Sequence, residues 1–306
     1  MQTHEKKQEK IVKLLITGFN GFVAGSIIAH AFGDWEIHGI GRSEGPANEP
    51  GLFYHTLDLL DEQGLITLFN EICPDAVIHA AAMANIDVCQ VNQEMAERVN
   101  VGITKTIARL CREHGVKMVF CSTDTVFDGI KGDYSENDEP HAVNFYAETK
   151  IRAEQSVLSA SPQNVVARLA LVMGLPVIGK GNSFLADTIE KLKKGVQIPF
   201  PANEIRTPVD VITLGSALVE LAGNQVGGII HLSGNTKINR YEMGLMIATT
   251  LGYSTEQIIR ANSNAMVGRA PRANDASMDN SLAKKVLKTP MLTLAEGLNL
   301  TLNFKR

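Results

Sequence analysis

The chain has 306 residues, 44% of them hydrophobic, and carries a formal net charge of −4. That length and apolar content suffice for one large domain or two joined ones with a real core, and the mild acidity gives no electrostatic reason to expect nucleic acid or an anionic membrane as partner. Four irregularly spaced cysteines, Cys73, Cys89, Cys111 and Cys121, form no CxxC pair, which argues against a metal site and a disulfide framework and for free thiols in a reducing cytoplasm.

The first ten residues are polar and charged, so they read as a flexible leader, with neither the apolar segment of a signal peptide nor an anchor. No apolar run approaches the length that spans a bilayer. From there the chain alternates. Apolar runs rich in β-branched residues at 11–17, 35–40, 52–57, 75–80, 116–122 and 164–170 predict strands, and amphipathic stretches beginning near Gly21, Asp61, Val91 and Asn144 predict the helices between them. This order predicts an α/β fold, a doubly wound parallel sheet of Rossmann type over 11–171, whose ligands bind beyond the carboxyl ends of the strands. After Leu171 the pattern is broken by Gly174, Pro176, Gly179, Gly181, Pro199, Pro201 and Pro208. A smaller C-terminal substrate lobe is expected from 172–208 and 236–306, with helices at 183–194, 239–251 and 292–303. A helix at 209–222 and a strand at 228–233 are expected to return to the first domain.

The run TGFNGFVA at 17–24 leaves the first strand and opens the first helix. Gly18 permits the tight turn, Gly21 lets backbone amides approach a pyrophosphate, and small Ala24 lets the helix lie close to the sheet. Asn20, Phe22 and Val23 stand on the same turn as further cofactor candidates. The spacing is GxxGxxA rather than GxGxxG, and an ordinary strand-to-helix connection is the other reading; the placement points to a dinucleotide. At the end of the second strand the chain reads Gly39-Ile40-Gly41-Arg42-Ser43, without the acidic residue that holds the ribose hydroxyls of NAD. Arg42 suits a 2′-phosphate through two parallel hydrogen bonds, which favours NADP, with NAD as the alternative. Asp58, with Leu59 beside it, closes the third strand where the adenine amino group would lie. Ala80, Ala81 and Ala82 are small enough for a cofactor to rest against their backbone.

Tyr146 and Lys150 are one helical turn apart and share a face. Reduction of a ketone leaves an alkoxide that needs a proton, and a phenol can deliver it when a nearby ammonium makes its anion tolerable. An amphipathic helix with a solvent-facing lysine is the competing reading. The fifth strand ends in Ser122 and Thr123, where a hydroxyl can hold the substrate carbonyl; Thr123 is the first choice and Ser122 the second. His79 and His231, at strand ends, read as structural histidines, and the run 243–246 as helix core.

Taken in order, TGFNGFVA, LDLLD at 57–61, PDAVIHAAA at 74–82, Asn100, STDTVFDG at 122–129, YAETK at 146–150 and RLALVMG at 168–174 resemble the extended short-chain dehydrogenase/reductase family. Within it the chain is most similar to the dTDP-4-dehydrorhamnose reductase branch, through PDxVIxxAA, STDxVFDG and the late Arg-Ala-Pro-Arg at 269–272. The resemblance implies NAD(P)H-dependent reduction of a keto group on a nucleotide sugar. It also implies a catalytic triad of Thr123, Tyr146 and Lys150, and support of the lysine by Asn100 through the helix backbone. Gly18, Gly21, Arg42, Asp58, Ala81 and Ala82 would line the cofactor, and homodimers are frequent in the family. Thr125 and Leu171 depart from the branch, which carries Tyr and Trp there on the sugar side, and Thr125 also argues against dehydration. Arg206, Arg269 and Arg272 are candidates to grip a sugar diphosphate, the alternative being interlobe ion pairs. Two other functions stay open. The run TKINRYEM at 236–243 is similar to the non-catalytic regulatory subunit of methionine adenosyltransferase, and an epimerase would differ only in returning the hydride.

Overall fold

The computed structural model describes residues 11–45, 48–178, 181, 183–266 and 268–305; the leader at 1–10 and Gly179 lie outside them. Six strands run in turn, β1 (Lys13–Thr17), β2 (Glu36–Gly41), β3 (Leu52–Thr56), β4 (Ala76–His79), β5 (Lys117–Thr123) and β6 (Val165–Leu169). The chain then leaves through β7 (Val172–Met173), β8 (Ile198–Pro201), β9 (Ile205–Arg206) and β10 (Val209–Asp210), returns as β11 (Gly228–Leu232), and departs again through β12 (Ile238–Asn239) and β13 (Ile258–Ala261). The main sheet has the order β11-β6-β5-β4-β1-β2-β3, and every pair in it is parallel. Strand order reverses between β1 and β4, so a crevice opens at their carboxyl ends, where such sheets bind ligands. Thr17 lies level with Ile40 on one side and His79 on the other, which puts the ends of β2, β1 and β4 around that crevice.

The helices are α1 (Phe22–Ala31), α2 (Glu62–Ile72), α3 (Ile86–Val91), α4 (Gln93–Ala96), α5 (Ile103–His114), α6 (Phe145–Ala160), α7 (Phe184–Lys193), α8 (Val211–Gly223), α9 (Arg240–Thr250), α10 (Ser281–Val286) and α11 (Leu294–Asn303). Strands buried on both faces need apolar residues at successive positions. Leu14 and Ile16 accordingly join Ile27 and Ile28 of α1 and Leu214 and Leu218 of α8 on one face. Leu15 and Val77 join Phe69 of α2, Ile107 of α5 and Val157 of α6 on the other. A Cβ on Gly215 of α8 would fall 2.2 Å from the Ser26 hydroxyl of α1, so the close crossing of these two helices requires glycine. A separate core, with Met173, Leu185, Phe200, Met243, Ile247 and Leu298 among its members, holds the C-terminal elements, and Met243 takes its place there from the 243–246 run. No helix among the described residues is long and apolar enough to cross a membrane.

One element differs from expectation. The helix expected from near Val91 begins at Ile86, where the Asn85 side chain accepts a bond from the Val88 amide. It then breaks at Asn92 and passes through a π-helical turn, Glu97–Gly102, before α5. Such turns wedge an extra residue into a helix and often stand beside functional groups; this one carries Asn100.

Candidate active site

At the end of β1, Gly18 has φ +73°, and a Cβ there would sit 2.8 Å from the backbone of Ala81. Two backbone segments therefore meet in a space that no side chain may fill. The Gly21 amide donates to the Gly18 carbonyl at 2.7 Å and closes the turn. Helix α1 starts without a side-chain cap and without an acidic residue in its first turn, so its amide end is left electrostatically open. These features fit the phosphates of a dinucleotide.

Beside the turn lies a cavity of about 630 Å³, within the range of cofactor sites. Gly18, Asn20, Gly21, Arg42, Asp58, Leu59, Ala80, Ala81 and Ala82 line it. Sequence reasoning gave no such role to Ile40, Leu57, Leu60, Met83, Met95, Val99 and Ile103, which supply much of its apolar wall. Leu57 and Leu60 stand within two residues of Asp58 and were findable on that ground. Phe22 and Val23 do not line the cavity; Val23 lies against the core between α1 and the sheet. Asn20 donates to the Ser43 hydroxyl at 2.7 Å, joining the glycine turn to the loop after β2. Arg42 on that loop is exposed and makes no ion pair among the described residues.

A buried hydrogen-bond chain sets the loop after β4. Thr104 gives its hydroxyl proton to the Asn100 carbonyl at 2.7 Å, so its oxygen accepts from Nε2–H of His79 at 3.0 Å. Nδ1 of His79 then accepts from Thr17 at 2.6 Å, whose oxygen in turn takes the Ala81 amide at 3.3 Å. Both ring nitrogens are used in one neutral tautomer, and burial holds the imidazole at about 3. His231 is likewise structural: Nδ1 lies 3.1 Å from the Tyr134 carbonyl.

Asn100 makes contacts beyond the one its resemblance implied. Its backbone carbonyl is taken by Thr104, and its side chain accepts from the Met83 amide at 2.8 Å and donates to the Thr149 hydroxyl at 3.0 Å. Its side chain fastens the cavity wall at Met83 to α6 and does not itself line the cavity. Tyr146 shares a small cluster with Met83, Cys89 and Ala96; Met83 lines the cavity, whereas Tyr146, Lys150 and Thr123 do not.

The phenol is 8% exposed, and burial, with Cys89 and Asp124 adding to it, pushes its pKa well above the usual tyrosine value, while a hydrogen bond with Thr123 works the other way. Lys150 is 2% exposed; its Nζ donates to the Cys121 carbonyl at 2.6 Å and rests 4.0 Å from the centre of the Phe120 ring. Burial pulls it down to about 8. Thr123 Oγ1 lies 3.1 Å from the Thr125 hydroxyl and 3.2 Å from an Asp124 oxygen. Asp124, to which sequence reasoning gave no role, accepts the Leu171 amide at 3.2 Å and faces Nε of Arg206 at 3.5 Å. Burial raises its pKa, against the pull of Arg206.

Three expectations are corrected here. Ser122 is not the catalytic hydroxyl: strand alternation turns it towards α6, where it donates to Glu154 in a short bond. Arg206 has no free face for a phosphate, because besides Asp124 it donates to the carbonyls of Ile205, Ala273 and Asn274. Arg269 and Arg272 are ion-paired, to Glu204 at 2.6 Å and to Asp87 at 2.9 Å, and so act as ties between segments.

A Rossmann crevice with a buried Tyr-Lys pair and a strand-end threonine defines an extended short-chain dehydrogenase/reductase. The chain belongs to the family described as RmlD substrate binding domain, whose model matches residues 12–305. It is 27% identical over 281 residues to methionine adenosyltransferase 2 subunit beta of Xenopus laevis, covering 90% of this chain and 82% of that one. To the probable low-salt glycan biosynthesis reductase Agl14 of Haloferax volcanii it is 27% identical over 292 residues, covering 92% and 95%. Among solved structures, a hypothetical dTDP-4-dehydrorhamnose reductase from Sulfolobus tokodaii superposes with a TM-score of 0.81 at 28% identity, over 94% of this chain and 99% of that one. The dTDP-4-dehydrorhamnose reductase of Bacillus anthracis, solved with NADP, shares the fold with a TM-score of 0.83 at 21% identity, over 96% and 99%.

Proposed function

We propose that the protein is an NAD(P)H-dependent reductase of a keto group on a nucleotide-activated sugar. The observation that carries this is the burial of Tyr146 and Lys150 on one face of α6 against the end of β5, where Lys150 bonds the Cys121 carbonyl two residues before Thr123, with Met83 linking the Tyr146 cluster to the dinucleotide cavity. In this account residues 11–171 and about 209–235 hold the cofactor, while 172–208 and 236–306 close over the substrate. A nicotinamide, when bound, supplies the hydride. Thr123 holds the carbonyl oxygen, and Tyr146 hands its proton to that oxygen as negative charge develops. Lys150 favours the resulting phenolate by its charge. The likeness to Agl14 and to the Sulfolobus protein supports this reading.

The test is NADPH consumption by the purified protein against a panel of nucleotide-activated keto sugars, followed across pH. Tyr146, its pKa raised, keeps its proton through neutrality. Lys150 gives up its charge near 8. Reduction should therefore fall as pH rises through about 8, and a rate that is flat up to pH 10 would contradict the role of the ammonium.

NADP is the proposed cofactor, because Arg42 is exposed, without an ion pair among the described residues, on the rim of the cavity. A charge-assisted contact to a 2′-phosphate implies that Arg42→Ala weakens NADPH by roughly 10- to 100-fold and leaves NADH nearly unchanged. Equal loss for both cofactors in a binding titration would remove Arg42 from phosphate recognition.

One observation favours a second reading. The likeness to methionine adenosyltransferase 2 subunit beta extends over 90% of the chain, so a regulatory subunit is the alternative. Co-purification with a partner enzyme, together with no NADPH consumption, would select it.

A further inference from the structure

Three guanidinium groups and two carboxylates converge around the short strands of the C-terminal region. β9 and β12 pair antiparallel, with Ile205 opposite Asn239, and the Arg240 amide donates to the Glu204 carbonyl at 3.0 Å. Glu204, Arg206 and Arg240 are thereby neighbours. The two carboxylates are already taken, Glu204 by Arg269 and Asp124 by Arg206. Arg240 is left over. Its guanidinium lies 4.3 Å from the centre of the Phe184 ring and 5.9 Å from that of Phe200, its Nε is buried without a hydrogen-bond partner, and its side chain makes no ion pair among the described residues.

A guanidinium nitrogen buried without a partner is destabilising until something accepts from it. Arg240 is also the first residue of α9, where the helix dipole opposes positive charge. Burial brings its pKa down to about 10; Glu204 and Asp124 pull the other way, and Arg206 and Arg269 add to the lowering. A guanidinium held over an aromatic ring can still offer N–H groups to a ligand, and a pair of them matches the two oxygens of a phosphate or carboxylate. The cluster connects to the reacting end of the site, since Asp124 bonds both Arg206 and the Thr123 hydroxyl.

We propose that Arg240 anchors an oxyanion of the substrate, a phosphate or a carboxylate, and that this anion completes the charge balance of the Arg206–Arg240–Arg269 cluster. The proposal rests on the reading of the site as one for a nucleotide-activated sugar. It assigns the anion to Arg240 in place of the three arginines that the sequence singled out.

The experiment is calorimetric titration of the full chain, saturated with NADPH, with UDP, dTDP, the free nucleosides and glucuronate, for wild type, Arg240→Met and Arg240→Lys. Methionine keeps the apolar cover on the two rings. If the anion is the diphosphate, Arg240→Met should lose roughly 10- to 100-fold in affinity for UDP or dTDP while the nucleosides and NADPH bind as before. If it is a sugar carboxylate, the same loss should fall on glucuronate alone. Arg240→Lys should recover part of the affinity, and the ligand-free Tm of Arg240→Met should equal or exceed that of wild type, because a cation without an ion pair has been removed from beside Arg206 and Arg269. Unchanged affinity for every anion would overturn the inference while leaving the nucleotide-sugar reading in place, and so would a lowered Tm with binding intact. A wild type that binds none of the anions and consumes no NADPH with keto sugars would remove both.

Discussion

Tyr146→Phe is expected to lower turnover by about 10²- to 10⁴-fold, the usual contribution of a positioned general acid, while NADPH affinity stays close to that of wild type. Phenylalanine fills the same space among Met83, Cys89 and Ala96, so the cluster and the cavity wall beside it keep their form. The Thr123 hydroxyl keeps its contacts with Asp124 and Thr125. The effect should thus fall on kcat. Steady-state rates combined with a cofactor titration check this, and a variant that turned over at a comparable rate would place the proton donor elsewhere.

The largest expected effect on stability lies behind the site. Glu154 of α6 and Arg168 of β6 form a buried pair in which Nε and Nη2 of the arginine reach the carboxylate, with Nη2 at 2.8 Å, and Ser122 donates to the same carboxylate. Removing one member leaves the other charge buried and alone, so Glu154→Leu should cost about 3–5 kcal/mol. The double variant Glu154→Leu/Arg168→Met should recover much of that loss. Denaturant unfolding of the two proteins decides it: a double variant no more stable than the single one would mean that packing, not charge, is what was lost. Ser122→Ala belongs with this pair. It should affect stability and leave kcat unchanged.

The turn at 17–24 was legible because its constraints are local: a glycine where φ is positive, small residues where backbones meet, and a strand on one side with a helix on the other. The sheet was legible for a similar reason, since strands buried on both faces must be apolar throughout. The partner of Ser122 was not. Adjacent strand residues point to opposite faces, and only the packing of α6 shows which face is the site. The arginines failed differently. Residue type announces that a guanidinium can hold phosphate, but whether its donors are already spent depends on contacts such as Arg206 with Ala273 and Asn274, far away in sequence. Asp124 stood in the quoted 122–129 run without a role, because its partners Leu171 and Arg206 come from distant segments. The π-helical turn at Glu97–Gly102 has no compositional signal of its own, so the side-chain contacts of Asn100 with Met83 and Thr149 were not legible either.

The central claim is that this chain itself transfers a hydride to a keto sugar, and the most direct measurement is isotopic. Purified protein is incubated with NADPH deuterated on the transferring face and a nucleotide-activated keto sugar, and the product is read by mass spectrometry. The account predicts one deuterium at the reduced carbon, stoichiometric with NADP formed, and its disappearance in Tyr146→Phe. A sugar that returns unlabelled, with the cofactor bound and unconsumed, would contradict it.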